Sequence, residues 1–238
     1  MEENILGEYI FECENVYKSY GSIPALNNVS FKVKRGGVVG LLGPNASGKS
    51  TLIKLAMGML QPDGGTILID GNKPGTETKK ITSYLPDANY LYNWMTVEQQ
   101  VKYCADFFKD FNMEKCDALL NRLQIFKKQK IKTLSKGTKE KLGLILTMSR
   151  DAELYILDEP IAGVDPAARD FILDTVMTNR AEGSTIFLCT HLISDIEPIL
   201  THAIFLNRGT IALDSSVAEV KEREGKTLDE LFREVFKW

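Results

Sequence analysis

The strongest constraint on this chain is a run of nine residues: Gly43-Pro44-Asn45-Ala46-Ser47-Gly48-Lys49-Ser50-Thr51. The run has the spacing G-x-x-x-x-G-K-S/T, follows an apolar stretch at 38–42, and precedes apolar residues spaced as on a helix at 52–60. Its glycines let main-chain N–H groups turn inward around a di- or triphosphate, and the helix dipole adds to that attraction. The stretch therefore predicts a phosphate-binding loop between a buried strand and a helix.

The last three residues of this loop each have a chemical role in the prediction. Lys49 would reach the terminal phosphates, Ser50 would place its hydroxyl on Mg²⁺, and Thr51 would contact the inner phosphate. A chance Gly-rich turn is the alternative, but such a turn would not account for the strand and helix patterns on either side.

Length and charge limit the classes of protein that this chain can belong to. At 238 residues it can bury the core of one sizeable α/β domain, with or without a subdomain, and the length favours one domain over two. The net charge of -3 gives no general attraction to nucleic acid or to an anionic membrane surface. We therefore expect no nucleic-acid partner.

The cysteines and the N-terminus indicate where the protein works. The cysteines are scattered without a C-x-x-C pair, which favours reduced thiols, a cytosolic compartment and no cysteine metal site. The start at Met1–Asn4 lacks the pattern of a signal peptide, and no apolar stretch approaches the roughly 20 residues of a membrane helix. If the protein works at a membrane, another chain must supply the spanning part.

Two kinds of pattern alternate along the chain. Residues 29–34 alternate apolar and polar as in a half-buried antiparallel strand, and strands are also predicted at 66–71 and 81–85. Residues 96–149 show helical periodicity only, beginning with a capping box of Thr96 and Gln99. We predict a helical subdomain at about 88–149, inserted between two parts of a core at about 1–87 and 150–238.

Two adjacent carboxylates, Asp158 and Glu159, follow the apolar run 154–157. Buried strands place such acids at their carboxyl ends, beside the ligand crevice. Asp158 is suited to hold Mg²⁺ through water, and Glu159 could polarise an attacking water as a general base. The alternative is a solvated pair of acids at a strand end.

Two further side chains lie at positions where a ligand could meet them. His191 ends the strand-like run 185–190, although a lone histidine at a strand end is often structural. Tyr20 precedes Gly21 and could stack on a nucleotide base, with an ordinary turn tyrosine as the alternative.

Two helix starts complete the set of motifs. Leu134-Ser135-Lys136-Gly137-Thr138 opens a helix that Ser135 can cap, and the free N–H groups of its first turn form a second anion site. Asp165 is suited to cap a helix that begins at Pro166. The basic run 127–132 is interpreted as a solvated face, with an anionic partner as the less favoured alternative.

In this order, the motifs resemble those of the ATP-binding subunit of ABC transporters over essentially the whole chain. Gly43–Thr51 resembles the Walker A motif, Leu154–Glu159 the Walker B motif with its catalytic glutamate, Asp165 the D-loop, and His191 the switch histidine. Tyr20 matches the aromatic residue that stacks on adenine.

Two motifs depart from the family pattern. Where the family signature reads Leu-Ser-Gly-Gly-Gln, this chain has Lys136 and Thr138 in place of the first glycine and the glutamine, while Ser135 and Gly137 are kept. Lys136 resembles the lysine-bearing signatures of bacterial exporter subunits. Asp87 occupies the position of the Q-loop glutamine; it could still hold a metal-bound water.

The resemblance implies an α/β fold: a P-loop NTPase (RecA-like) core with a mixed sheet, an antiparallel β subdomain and a helical subdomain. It implies ATP and Mg²⁺ as ligands, bound between two copies or between this subunit and a paralogue. Lys49, Glu159 and His191 would be catalytic, Ser50, Asp158 and Asp87 would hold the metal, and Ser135 and Gly137 would approach the γ-phosphate in the opposite copy. The remaining nucleotide contacts would come from the loop 43–51, Tyr20 and Asp165.

The same resemblance implies integral membrane permease subunits as partners, with this subunit in the cytoplasm and peripheral on the inner face of the cell membrane. Export is favoured because of the lysine-bearing signature. The apolar loop Tyr90–Met95 would either receive a helix of that partner or be buried within the helical insert.

Two other functions are alternatives to transport. A single-cassette ATPase that acts in assembly or repair without a membrane partner remains open. A nucleotide switch with little hydrolysis is disfavoured because Glu159 and His191 are both present.

Overall fold

The computed structural model describes residues 7–236, without the side chains of 166–168. The acidic start at Met1–Asn4 and the residue Trp238 lie outside the described residues.

Strands account for most of the core. In chain order they are β1 (Tyr9–Tyr20), β2 (Ile23–Lys34), β3 (Val38–Leu42), β4 (Gly64–Ile69), β5 (Thr82–Leu85), β6 (Leu154–Asp158), β7 (Thr185–Thr190), β8 (His202–Asn207) and β9 (Thr210–Ser216).

Helices connect and cover these strands. They are α1 (Lys49–Ala56), α2 (Thr76–Ile81), α3 (Val97–Phe107), α4 (Met113–Arg122), α5 (Lys136–Met148), α6 (Pro166–Asn179), α7 (Ile193–Ile196), α8 (Val217–Glu224) and α9 (Leu228–Val235), with 3₁₀ turns at Ile131–Thr133 and Glu197–Ile199. Across residues 7–236, no helix is both long and apolar enough to cross a membrane.

The strands form two sheets. One is antiparallel with the order β2-β1-β4, and the other has the order β5-β6-β7-β3-β8-β9. In the second sheet β5, β6, β7, β3 and β8 run parallel, and β9 pairs antiparallel with β8. Parallel strands buried on both faces are apolar throughout, and every residue of β3, β6 and β7 is indeed buried. The α/β fold with a mixed sheet and an antiparallel sheet is as predicted.

Three apolar clusters hold the elements together. The first lies between the two sheets and includes α1, with Phe11, Phe31 and Phe187 in edge-on and stacked contact. The second joins the opposite face of the large sheet to α6, α8 and α9. The third consists of residues from 91 to 146 and belongs to the helical segment.

The secondary-structure predictions are largely confirmed. The capping box of Thr96 and Gln99 is present at α3, and Ser135 caps α5 by accepting a hydrogen bond from the Thr138 N–H. Helix α6 begins at Pro166, and β7 matches the predicted run 185–190. The cysteines are free and buried.

Two predictions at the edges of elements are wrong. The helix after the phosphate loop ends at Ala56, because Gly58 takes a left-handed φ of 65°, so Met59 and Leu60 lie beyond the helix and Met59 is exposed. Ile81 ends α2, a helix that the sequence did not predict, and the strand begins at Thr82. The α2 segment is only six residues long, which is too short to show a clear helical period.

Arg150 joins the helical segment to the core. Its buried guanidinium bonds the Asp110 carboxylate at 2.9–3.1 Å and donates to the carbonyls of Thr82 at 2.6 Å and Lys80 at 2.5 Å. It also lies 4.0 Å from the ring centre of Phe108. Because Asp110 and Phe108 follow α3, whereas Lys80 and Thr82 belong to α2 and β5, this one side chain connects the two parts of the molecule.

We expect the substitution Arg150→Met to lower the free energy of unfolding by about 3 kcal/mol, because it leaves one carboxylate and several carbonyls without their donor. Equilibrium unfolding in urea measures this change. Arg122→Met is the matched control, since Arg122 also pairs with an aspartate, Asp174, and lies over a ring, Phe171, but is exposed. The control should change stability by less than about 0.5 kcal/mol. Equal losses in the two variants would contradict the connecting role of Arg150.

Candidate functional site

Four predicted motifs meet at one edge of the large sheet. The phosphate loop follows β3, Asp158 and Glu159 lie at the end of β6, His191 follows β7, and Asp87 follows β5. These strands are parallel neighbours, so their carboxyl ends lie side by side. This edge is where open α/β sheets bind their ligands.

The phosphate loop has a main-chain conformation that few sequences permit. Ala46 and Gly48 have φ values of 62° and 112°, and the Ser47 N–H closes a turn by donating to the Pro44 carbonyl at 3.2 Å. A Cβ on Gly48 would lie 2.5 Å from the Ala25 carbonyl oxygen, so glycine is required there for space as well as for φ. The loop thus has the close backbone packing expected of a phosphate cradle.

Lys49 lies inside this loop. Its buried ammonium donates to the carbonyls of Gly43 at 2.7 Å and Pro44 at 3.1 Å. Burial lowers the pKa of Lys49, while the charges of Glu159 and Asp158 act in the opposite direction. A buried cation at this position is suited to attract the terminal phosphates of a nucleotide.

The turn between β8 and β9 supports the phosphate loop from behind. The Gly209 N–H donates to the Ser47 carbonyl at 2.8 Å, and the Gly209 carbonyl accepts from the Asn27 N–H at 2.7 Å. Arg208 and Gly209 form a turn of the kind that Gly favours, but the sequence does not indicate its contact with the loop. No local pattern could have indicated it, because about 160 residues separate the two partners.

Three candidate metal ligands lie together. Ser50, Asp87 and Asp158 line one cavity of about 710 Å³. Burial, together with the neighbouring charges of Asp87 and Glu159, raises the pKa of Asp158 to about 6. A divalent cation would offset this repulsion, and hydroxyl and carboxylate oxygens are ligands that Mg²⁺ accepts.

No group of three or more histidine, cysteine, aspartate or glutamate side chains in the described ranges could hold a metal by itself. A magnesium ion here would take further ligands from water and from nucleotide phosphates, as Mg²⁺ sites in nucleotide-binding proteins commonly do. The residues therefore fit a metal that arrives together with a nucleotide.

Glu159 is held by the end of β7. Its carboxylate accepts a hydrogen bond from the Thr190 hydroxyl at 2.9 Å, and both of its oxygens lie 3.1 Å from His191 Nδ1. The structure therefore brings the predicted general base and the predicted switch histidine into contact. Sequence analysis did not single out Thr190, because a threonine at a strand end carries no distinct pattern.

The remaining predicted site residues lie around this edge. Tyr20 is exposed at the end of β1, on the hairpin with β2 that passes Gly48 at Ala25. Asp165 is exposed just before α6, and its carbonyl accepts from the Arg169 N–H at 3.1 Å.

The first turn of α5 carries the other two predicted residues. Ser135 and Gly137 are exposed there, and a Cβ on Gly137 would meet no atom within 4 Å. Lys136, between them, lines a cavity of about 140 Å³ together with Asp87, Asp158 and Glu159. This helix start is open to another molecule.

Comparison with known proteins agrees with this geometry. The family model described as ABC transporter matches residues 26–162. The SkfA peptide export ATP-binding protein SkfE of Bacillus subtilis is 30% identical over 220 residues, which cover 90% of this chain and 92% of that protein. An uncharacterized ABC transporter ATP-binding protein of Synechocystis is 31% identical over 83% of this chain, which spans only 58% of that relative.

A solved structure extends the agreement to three dimensions. The structure described as the ATP binding subunit of an ABC transporter superposes with a TM-score of 0.86 at 29% identity, and the match covers 96% of this chain and all of that one. Fold and site thus define a P-loop ATP-binding domain. The chain belongs to the ABC transporter family and carries the ATPase domain of that family.

The raised pKa of Asp158 predicts an unusual pH dependence of stability. The folded protein binds this proton more tightly than the unfolded chain does, so the contribution of Asp158 to stability falls as pH rises from about 4 to about 6. Without nucleotide or metal, Asp158→Asn should therefore raise the free energy of unfolding at pH 7 by about 1–2 kcal/mol. Urea unfolding at pH 7 and pH 4 measures this gain, which should shrink at the lower pH.

Asp63→Asn is the control, and its effect on the free energy of unfolding at pH 7 should have the opposite sign. Its hydrogen bonds from Lys18 and from the Ser19 N–H lower the pKa of Asp63. Removal of this carboxylate should lower stability at pH 7. A loss of stability in Asp158→Asn at pH 7 would contradict our account of the site.

Proposed function

We propose that this protein is the ATP-hydrolysing subunit of an ABC transporter, in which MgATP binds between two cassettes and drives transport by separate membrane subunits. Residues 1–238 form a single ATPase domain, with the core at about 1–87 and 150–238 and the helical subdomain at about 88–149. The observation that supports the proposal most strongly is the meeting of Lys49, Asp158, Glu159 and His191 at one sheet edge.

In this proposal the protein's own groups divide the work of hydrolysis. The loop N–H groups and Lys49 bind the phosphates, Tyr20 stacks on the adenine, and Asp165 lies beside the nucleotide. Glu159 takes a proton from water as the water oxygen bonds to the γ-phosphorus, and the bond from that phosphorus to the bridging oxygen breaks to release ADP. Held by Ser50, Asp158 and Asp87, Mg²⁺ would supply charge neutralisation of the phosphates.

The second cassette, a copy of this chain or a paralogue, contributes the helix start with Ser135 and Gly137. The exposure of these residues and the open space around Gly137 support this role. A helix N-terminus attracts the γ-phosphate of ATP and loses most of that contact with ADP. Hydrolysis would therefore release the two cassettes from each other.

Substitution of Glu159 by glutamine tests the proposal. Glu159→Gln should lower ATP turnover by at least about 100-fold, because the amide cannot take the proton, and it should trap a dimer in MgATP. Turnover is measured by phosphate release and the dimer by light scattering after size exclusion. Glu153→Gln, at a half-buried position before β6 where Glu153 pairs with Arg35, is the control and should retain normal turnover. Normal turnover in Glu159→Gln would show that Glu159 is not the base.

The direction of transport and the location follow from the same proposal. The relative SkfE of Bacillus subtilis is named a peptide export ATP-binding protein, which supports export here as well. The chain would act in the cytoplasm, peripheral on the inner face of the membrane and bound to integral permease subunits.

An aromatic surface supports a membrane partner. Tyr92, Trp94, Tyr103 and Phe107 form a chain of ring contacts with centroids 5.4–6.2 Å apart. The exposed fractions of Trp94 and Phe107 are 70% and 69%. Soluble surfaces rarely expose so many large rings side by side, so the surface favours an apolar helix of a partner.

Some residues of the loop Tyr90–Met95 agree with docking of a partner helix, and others agree with burial in the helical segment. Leu91 and Met95 are buried in the helical cluster, whereas Tyr90, Tyr92 and Trp94 are exposed. The docking hypothesis therefore keeps its aromatic residues, and the burial hypothesis accounts for the aliphatic ones.

We expect the double substitution Trp94→Ser and Phe107→Ser to leave the ATPase rate of the purified subunit within about twofold, because both side chains are exposed. In cells the variant should lose its association with the membrane fraction, measured by flotation and co-purification of an integral membrane protein. Phe126→Ser, at another exposed phenylalanine, is the control and should stay membrane-bound. If even the wild type lacks membrane association, the soluble assembly ATPase becomes the favoured function.

A further inference from the structure

The Glu159 carboxylate has two hydrogen-bonding neighbours, and these differ in how far they are buried. Thr190, whose side chain is wholly buried, donates its hydroxyl proton to Glu159 Oε2 at 2.9 Å. His191, whose side chain is 42% exposed, lies with Nδ1 at 3.1 Å from Oε1 and Oε2. The Thr190 side chain is therefore fixed in the core of the sheet, whereas the His191 side chain has room to turn into solvent.

The direction of the Thr190 hydrogen bond is set by a second contact. The Leu192 N–H donates to Thr190 Oγ1 at 3.1 Å. A hydroxyl has one proton to donate, and the amide already occupies one of its acceptor positions. The proton of Thr190 is therefore directed at the Glu159 carboxylate.

The main chain of Glu159 depends on the same strand. Glu159 has a φ of 50°, a left-handed conformation that is strained for a residue with a side chain, and its N–H donates to the Cys189 carbonyl at 2.8 Å. Main-chain and side-chain bonds to Cys189 and Thr190 together fix where this carboxylate points. Such strain persists only where neighbouring contacts determine the conformation.

We propose that Thr190 is the positioning residue of the general base and holds the Glu159 carboxylate in its reactive orientation throughout the ATPase cycle. The inference rests on the proposed function, in which Glu159 takes the proton of water. In our scheme His191, which matches the switch histidine of the family, turns to the γ-phosphate. When His191 turns away, Oε2 remains bonded to Thr190, and Oε1 becomes available to accept that proton. Thr190 itself touches neither water nor nucleotide in this scheme.

Substitution of Thr190 separates this role from a structural one. Thr190→Val keeps the branched shape and removes the hydroxyl, so kcat for ATP should fall about tenfold while KM stays within about twofold. Thr190→Ser restores the hydroxyl and should return kcat to within about threefold of wild type. If the valine variant does not fold, as judged by its thermal unfolding, Thr190→Ala takes its place with the same expectation.

The matched control is another buried threonine. Thr175 lies in α6, and its hydroxyl has no hydrogen-bond partner in the described part of the chain. Thr175→Val makes the same chemical change away from the site and should leave kcat unchanged. An equal loss of kcat in the two valine variants would overturn the proposal, because it would indicate a general effect of burying valine.

A double substitution shows whether Thr190 acts by positioning Glu159 or affects turnover independently of Glu159. In single-turnover assays of the Glu159→Gln protein, adding Thr190→Val should change the residual rate by less than about twofold, since the group that Thr190 positions is already disabled. A further tenfold loss in that background would overturn the inference. So would normal kcat in Thr190→Val if Glu159→Gln abolishes turnover. Normal turnover in Glu159→Gln would instead overturn the proposed function itself.

Discussion

The main-chain turn of the phosphate loop is the constraint on which the rest of the site depends. Its inward N–H groups are useful only if the backbone keeps positive φ values at Ala46 and Gly48, and an isolated peptide would not hold them. The structure holds them by packing: the turn lies against the Ala25 carbonyl on one side and bonds Gly209 on the other. The antiparallel sheet and the β8–β9 hairpin therefore both serve to shape one short loop.

The second constraint is electrostatic. Asp158 and Glu159 place two carboxylates beside each other, with Asp87 nearby, and Asp158 is buried while Asp87 is exposed. Burial alone would make these charges unfavourable, and Lys49 offsets only part of their repulsion. A site of this kind gives up stability in the absence of ligand and regains it when a cation and phosphates enter. In the proposed function, the charges that disfavour the empty site would favour binding of a metal together with a nucleotide.

The helical segment and the site share a short piece of chain. Arg150 bonds the carbonyl of Thr82 at the start of β5, and β5 ends two residues before Asp87. The aromatic surface around Trp94 begins a few residues further on, and its ring contacts reach Phe108, which lies over Arg150. These contacts connect the aromatic surface continuously to the segment that carries Asp87.

The sequence by itself determined the apolar strands, the phosphate loop and the order of the charged motifs, because each depends on residues that are close along the chain. Local patterns even fixed helix caps such as Ser135, since a cap bonds an amide only three residues away. Only the tertiary structure decided that Gly209 supports the loop, that Arg150 joins the helical segment to the core and that Thr190 contacts Glu159. These bonds connect residues 31 to 162 positions apart, or depend on which strand becomes a neighbour. Strand order is set by packing of the whole core, and no short stretch of sequence records it.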